Sequence, residues 1–132
     1  KNFKFFVANN YKLARSCKAD GLYLSSYNKK IYPSFGYKLI GSAHNFKEIY
    51  EKMKQGCKTV ILSRLFKTSY KNKKGYLGII KFNLIMKNYS INLVPLGGIN
   101  DKNLLKLNLV KSEGMCLLSE IKKKPVITNR LF

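Results

Sequence analysis

Leu93-Val94-Pro95-Leu96-Gly97-Gly98-Ile99 is an apolar run that ends in two glycines and opens into sequence with helical spacing. A strand buried on both faces, as in a parallel sheet, reads as a near-continuous apolar run. Glycines just past such a strand let the backbone pass close to a ligand with its N–H groups turned toward it. In proteins built of βα repeats, chemistry gathers at the C-terminal ends of the strands. The stretch therefore predicts a buried strand and a phosphate-binding turn. An ordinary structural turn would use the same residue types.

Outward from this run, one pattern recurs: a turn, then an apolar strand that ends in serine. Lys18–Ser25, Cys57–Ser63 and Ser112–Ser119 are its three copies, and further strands fit Phe3–Ala8, Tyr37–Ser42 and Ile91–Leu96. Helical spacing lies between them. Asn45–Met53 places Phe46, Ile49, Tyr50 and Met53 on one face, with Asn45 as N-cap and Gly56 as the stop. Tyr76–Lys87 carries Leu77, Ile80 and Leu84, Asn100 or Asp101 can cap a helix through Leu104, Leu105 and Leu109, and Tyr11–Cys17 is a shorter candidate. Strands alternating with helices imply an α/β fold with a parallel sheet and right-handed crossovers. Six strands suit an open doubly wound sheet. They equally suit most of an eight-stranded barrel, whose usual size of about 250 residues exceeds this chain.

The 132 residues, 45% of them hydrophobic, are read as a single domain over 1–132 with a real core. No apolar run approaches the length of a membrane span and no charged-then-apolar leader opens the sequence, so a soluble, cytoplasmic protein is expected. Cys17, Cys57 and Cys116 form no Cys-x-x-Cys pair, which fits a reduced compartment and gives no zinc site.

A net charge of +20 invites a nucleic-acid reading. The surplus is made of 23 Lys against 3 Arg and is spread along the chain. Arginine is the residue that phosphate and base recognition prefers. A specific nucleic-acid partner is therefore not expected, although the charge draws anionic small molecules.

Ser63-Arg64-Leu65-Phe66-Lys67-Thr68-Ser69-Tyr70-Lys71 follows a strand end directly. Hydroxyl and ammonium donors three positions apart in such a loop suit an anionic oxygen, and a polar surface loop would read alike.

The chain resembles the thiamine-phosphate synthase family and its thiazole-tautomerase, TenI-like relatives, which share a TIM (β/α)8 barrel. Gly56 through Lys71 matches the family's sixth strand and following loop without a gap, keeping Gly56, Phe66, Thr68 and Lys71. Leu93–Ile99 resembles the seventh strand, Gly114–Ser119 the eighth, Ala19–Leu24 the fourth, and Ser42-Ala43-His44 the Ser-x-His after the fifth. On this reading the barrel is incomplete, with strands three to eight represented.

The resemblance implies thiamine biosynthesis: a transferase that condenses hydroxymethylpyrimidine diphosphate with thiazole phosphate, as a homo-oligomer without nucleic-acid or membrane partners. It implies thiazole-phosphate binding at Gly97, Gly98 and Ser119. Diphosphate contacts fall to Thr68, Lys71 and Ser42, with Arg64 and His44 beside them as further candidate catalytic residues. It also implies magnesium, held in the family by two aspartates. Those positions here are Asn9 and Asn28, so the metal's ligands are not retained and no other cofactor is implied. The tautomerase branch has a histidine where this chain has Arg64, an always-protonated group and a poor general base. The alternative reading is a divergent TenI-like homologue, a tautomerase or phosphate-ligand-binding protein without synthase activity.

Overall fold

The computed structural model describes residues 3–33, 36–68 and 75–118. Five strands form one sheet in the order of the sequence: β1 (Phe6–Ala8), β2 (Gly21–Leu24), β3 (Lys38–Ala43), β4 (Thr59–Ser63) and β5 (Asn92–Leu96). The pairings are parallel, with Val7 opposite Leu22, Leu22 opposite Leu39, and Gly41 opposite Val60. The helices are α1 (Tyr11–Ser16), α2 (Phe46–Lys54) and α3 (Gly78–Lys87), followed by a 3-10 helix over Leu104–Leu109. No helix among the described residues is long and apolar enough to cross a membrane.

The chain divides into two compact units, residues 1–62 with 91–93, and residues 63–90 with 94–132. In the first unit Leu22, Leu24, Val60 and Leu93 are fully buried beside Ala14 of α1 and Ile49 of α2. In the second, Leu65 and Phe82 are fully buried, with Ile85, Ile99 and Leu107 nearly so. Each of these leucine, isoleucine, valine and phenylalanine side chains contributes about 1.5–3 kcal/mol when removed from water.

Local chemistry explains the helix starts. Asn10 and Asn45 take extended backbone angles, and their side-chain oxygens accept the N–H groups of Leu13 and Glu48. Asp20 accepts the Phe5 N–H through Oδ2, a strand-end tie.

Three expectations are corrected. The third copy of the strand pattern, Ser112–Ser119, is reduced within the described residues to one parallel bridge between Leu96 and Cys116. There the Ser112 hydroxyl turns back onto the Gly114 carbonyl, closing a tight bend where a ladder would need extended chain.

The helix through Leu104, Leu105 and Leu109 is 3-10, not α. Neither Asn100 nor Asp101 is its N-cap, because Asn100 Oδ1 closes a short turn on the Lys102 N–H. Three residues per turn put Leu104 and Leu107 on one face, so Leu107 is buried while Leu105 and Leu109 are exposed.

The buried faces of α2 and α3 are also displaced. Phe46 and Tyr50 are exposed while Ile49 and Lys52 are buried; Ile80 and Leu84 are exposed while Phe82 and Ile85 are buried.

Candidate functional site

In the first unit a polar clasp joins the end of β1 to the loop after β2. Asn9 follows β1 in the left-handed region (φ 53°), a conformation asparagine tolerates better than most residues. Its Oδ1 accepts the Ser25 N–H at 3.0 Å and Asn28 Nδ2 at 2.9 Å. Its Nδ2 donates to Ser25 Oγ at 2.6 Å and Tyr27 OH at 3.3 Å. The four bonds use the full capacity of the amide. Asn28, itself buried, also donates to Tyr32 OH at 3.1 Å, accepts the Lys30 N–H at 2.9 Å, and sits where Tyr32 OH reaches back to the Asn9 carbonyl.

Behind this loop lies a lysine with no exposed surface. Lys52 Nζ donates to the Asn28 carbonyl at 2.7 Å and to Gln55 Oε1 at 2.9 Å. Gln55 Nε2 donates to the Asn28 and Lys30 carbonyls at 3.0 and 2.7 Å. Burial holds the Lys52 pKa below its ordinary value, against the opposing influence of Cys57, Glu51 and Glu48. The Cys57 thiol is pushed up to about 11 by burial, with Lys52 pulling the other way.

His44 follows β3 with its side chain half exposed. Its main-chain N–H donates to Glu48 Oε2 at 2.7 Å, and its ring Nδ1 lies 3.1 Å from the same oxygen. Asn45 Nδ2 holds the other carboxylate oxygen at 2.9 Å. Partial burial raises the Glu48 pKa, but these bonds outweigh it and leave the carboxyl below its ordinary value. Ser42 lies within β3 opposite Ile61, half-buried.

In the second unit Arg64 and Thr68 come together after β4, with guanidinium Nη1 3.2 Å from Thr68 Oγ1. The Leu65 and Phe66 N–H groups donate to the Leu96 and Gly97 carbonyls, each at 3.0 Å, which lays this loop along the end of β5. Gly97 (φ 102°) and Gly98 (φ 71°) both adopt left-handed angles. A Cβ on Gly97 would lie 3.1 Å from Arg64 Cγ, and one on Gly98 would lie 2.5 Å from the Phe66 and Lys67 carbonyl oxygens. The close approach that these glycines permit is thus to the Arg64–Lys67 loop. Asn100 Nδ2 and Asn103 Nδ2 both donate to the Gly98 carbonyl, fixing the turn.

Of the residues singled out from sequence, Arg64 and Thr68 are bonded to one another, Gly97 packs against Arg64, and Asn9 and Asn28 are bonded to one another. Lys71 and Ser119 lie outside the described residues. Ser25, Tyr32, Lys52 and Gln55 were not singled out. One signal pointed to the last two: Ile49, Lys52 and Gln55 repeat at helical spacing opposite a strand glycine, Gly41, whose missing side chain marks a close approach.

The sequence profile of the family described as thiamine monophosphate synthase matches residues 1–121. A thiamine-phosphate synthase from Prochlorococcus marinus is 30% identical over 125 residues, covering 91% of this chain and 36% of the relative. One from the subspecies pastoris is 33% identical over 111 residues, covering 80% and 32%. One from Chlorobium phaeobacteroides is 25% identical over 128 residues, covering 91% and 61%. The chain thus spans about a third of the length of the Prochlorococcus relatives. Among solved structures, thiamine phosphate pyrophosphorylase from Pyrococcus furiosus is similar with a TM-score of 0.68 at 19% identity, covering 98% of this chain and 69% of that one. At that identity the likeness speaks for the fold.

Proposed function

Because the chain belongs to the thiamine monophosphate synthase family, we propose that it serves thiamine biosynthesis as part of a transferase joining hydroxymethylpyrimidine diphosphate to thiazole phosphate. The family match over residues 1–121 carries this reading, and the Arg64–Thr68 pair after β4 supports it. The domain is read as part of a TIM barrel, strands three to eight of eight. The five-stranded parallel order and the likeness to the Pyrococcus structure support that reading.

In the proposed reaction the bond between the pyrimidine methylene carbon and the diphosphate oxygen breaks, and the diphosphate leaves with the electron pair. The thiazole nitrogen then donates its lone pair to the same carbon. The protein supplies position and electrostatics. Arg64 brings a permanent positive charge and a planar set of donors suited to diphosphate oxygens. Thr68 adds a donor to the same group, and the N–H groups of Gly97 and Gly98 take the thiazole phosphate; the family resemblance also assigns Lys71 and Ser42 to the diphosphate and Ser119 to the thiazole phosphate. The resemblance adds His44, whose ring Nδ1 lies 3.1 Å from Glu48 Oε2, as a further candidate residue.

The family resemblance implies magnesium, which wants hard, charged oxygen ligands. Asn9 Oδ1 is already shared by two donors, Asn28 Oδ1 accepts the Lys30 N–H, and the charged group bonded to the loop is itself a cation, Lys52. Among the described residues no three His, Cys, Asp or Glu side chains cluster. Asn9 and Asn28 do not fit a divalent cation, and no step is routed through one.

The test is turnover by the full-length protein given both precursors, followed as thiamine phosphate formation. Product formation supports the synthase. No product, with thiazole phosphate still raising the melting temperature, would overturn it in favour of a protein that only binds the ligand.

A further inference from the structure

The loop after β2 is held from beneath by a charge that, among the described residues, no acidic side chain pairs at bonding distance. Lys52 reaches it from α2 by a narrow route: Gly41 of β3 has no side chain, and a Cβ there would lie 2.7 Å from Lys52 Cδ and 2.8 Å from Cγ. The stem therefore lies against β3 in the space that Gly41 leaves, and Nζ reaches the Asn28 carbonyl. That carbonyl accepts from Lys52 and Gln55 together, which uses both of its lone pairs. A buried ammonium carries a large desolvation cost and persists where fixed dipoles surround it. Carbonyl and amide oxygens supply those dipoles here, much as they would around a bound metal ion.

We propose that Lys52 is a positioning residue, a built-in cation that fixes the loop of residues 25–32 and so shapes the clasp of Asn9, Ser25, Asn28 and Tyr32 for the diphosphate-bearing substrate without a metal. The substrate half of this statement rests on the synthase reading above; the loop half does not. The clasp holds no carboxylate; its amide hydrogens are spent within it, and the Ser25 and Tyr27 hydroxyls, which accept from Asn9 Nδ2, are the groups that can donate to an anion. Lys52 bonds none of these side chains directly. It pins the main chain of Asn28, from which the Asn28 amide reaches Asn9.

Amide hydrogen exchange on the full-length protein decides the loop half. The Ser25, Asn28 and Lys30 N–H groups, bonded to Asn9 Oδ1, the Ser25 carbonyl and Asn28 Oδ1, are the reporters, and the β3–β4 amides are the control. Lys52→Met keeps the stem and removes the charge. It should speed exchange at the three reporters by roughly tenfold or more, the scale of one hydrogen bond to a charged group, and leave the control unchanged. If Lys52→Met does not fold, Gln55→Leu should speed the same reporters by a smaller factor.

Unchanged reporters, or faster exchange everywhere alike, would overturn the proposal. So would a loop that loses protection in the wild-type protein when a chelator is added. For the substrate half, Lys52→Met should raise KM for the pyrimidine diphosphate about tenfold and leave KM for thiazole phosphate within about twofold. Equal loss for both substrates would reduce Lys52 to general stability. If the wild-type protein forms no product, the synthase reading falls, and the exchange data still decide whether Lys52 holds the loop.

Discussion

Gly41 and Lys52 share one volume: the side chain that the strand residue lacks is the space through which the helix residue's stem passes, 2.7 Å from where a Cβ would stand. Neither residue is interchangeable alone. Gly41→Ala should cost about 1–3 kcal/mol, the range for forcing an extra methyl into packed surroundings. In a Lys52→Ala background the same change should cost less, and urea denaturation of the two singles and the double gives the coupling.

Asn9→Ala should destabilise by about 2–4 kcal/mol. It removes four side-chain bonds and puts a residue with no compensating hydrogen bond at φ 53°. Asn9→Asp should be far milder, because the surrounding Ser25 and Tyr27 hydroxyls can each donate to a carboxylate. Thermal melts of the two variants at neutral pH check the order.

Gly98→Ala should also destabilise, and by a different route. Its Cβ would meet the Phe66 and Lys67 carbonyl oxygens at 2.5 Å with φ at 71°. The Arg64–Thr68 loop would have to move, so this variant is expected to lower kcat/KM as well as the melting temperature.

Arg64→Ala tests the diphosphate assignment. Removing one preorganised charged donor should lower kcat/KM by about a hundredfold, with a melting temperature close to the parent's. Unaltered turnover would remove Arg64 from the site.

Glu48 links stability to pH. Its folded-state pKa lies below the ordinary 4.5, so the stability it contributes is present above pH 4.5 and is lost as pH falls through the lowered value. Glu48→Gln should melt at a lower temperature than the parent at pH 7, by the equivalent of about 0.5–2 kcal/mol for a helix-capping contact. The gap should close as the buffer is taken to pH 3.

The strands were legible from their apolar runs, as Leu93–Leu96 and Val60–Leu62 show, although along each of them buried residues alternate with half-buried ones. The capping role of Asn45 was legible for the same local reason, since cap chemistry depends on a few neighbouring positions. The role of Lys52 was not. Periodicity weighs lysine as polar and sets it on the solvent side, and only the absent side chain of Gly41 on another element makes room for it inside. Within the described residues the eighth strand shows only the Leu96–Cys116 bridge. Gly114-Met115-Cys116-Leu117-Leu118 has the composition of a strand, but the Ser112 hydroxyl competes locally for the backbone. Gly97 and Gly98 were read as a turn that lets backbone approach a ligand; in the structure the Arg64 side chain lies against Gly97, and the Phe66 and Lys67 carbonyls against Gly98.

The sheet order β1-β2-β3-β4-β5 has a kinetic meaning. Each new strand finds its partner in the strand made just before it, at the cost of closing one short crossover, so contacts stay near in sequence. A ribosome releasing this chain delivers each of β2 to β5 directly onto a finished neighbour. Assembly can therefore keep pace with synthesis, and an interruption between β2 and β5 leaves one contiguous partial sheet in place of several mismatched pieces.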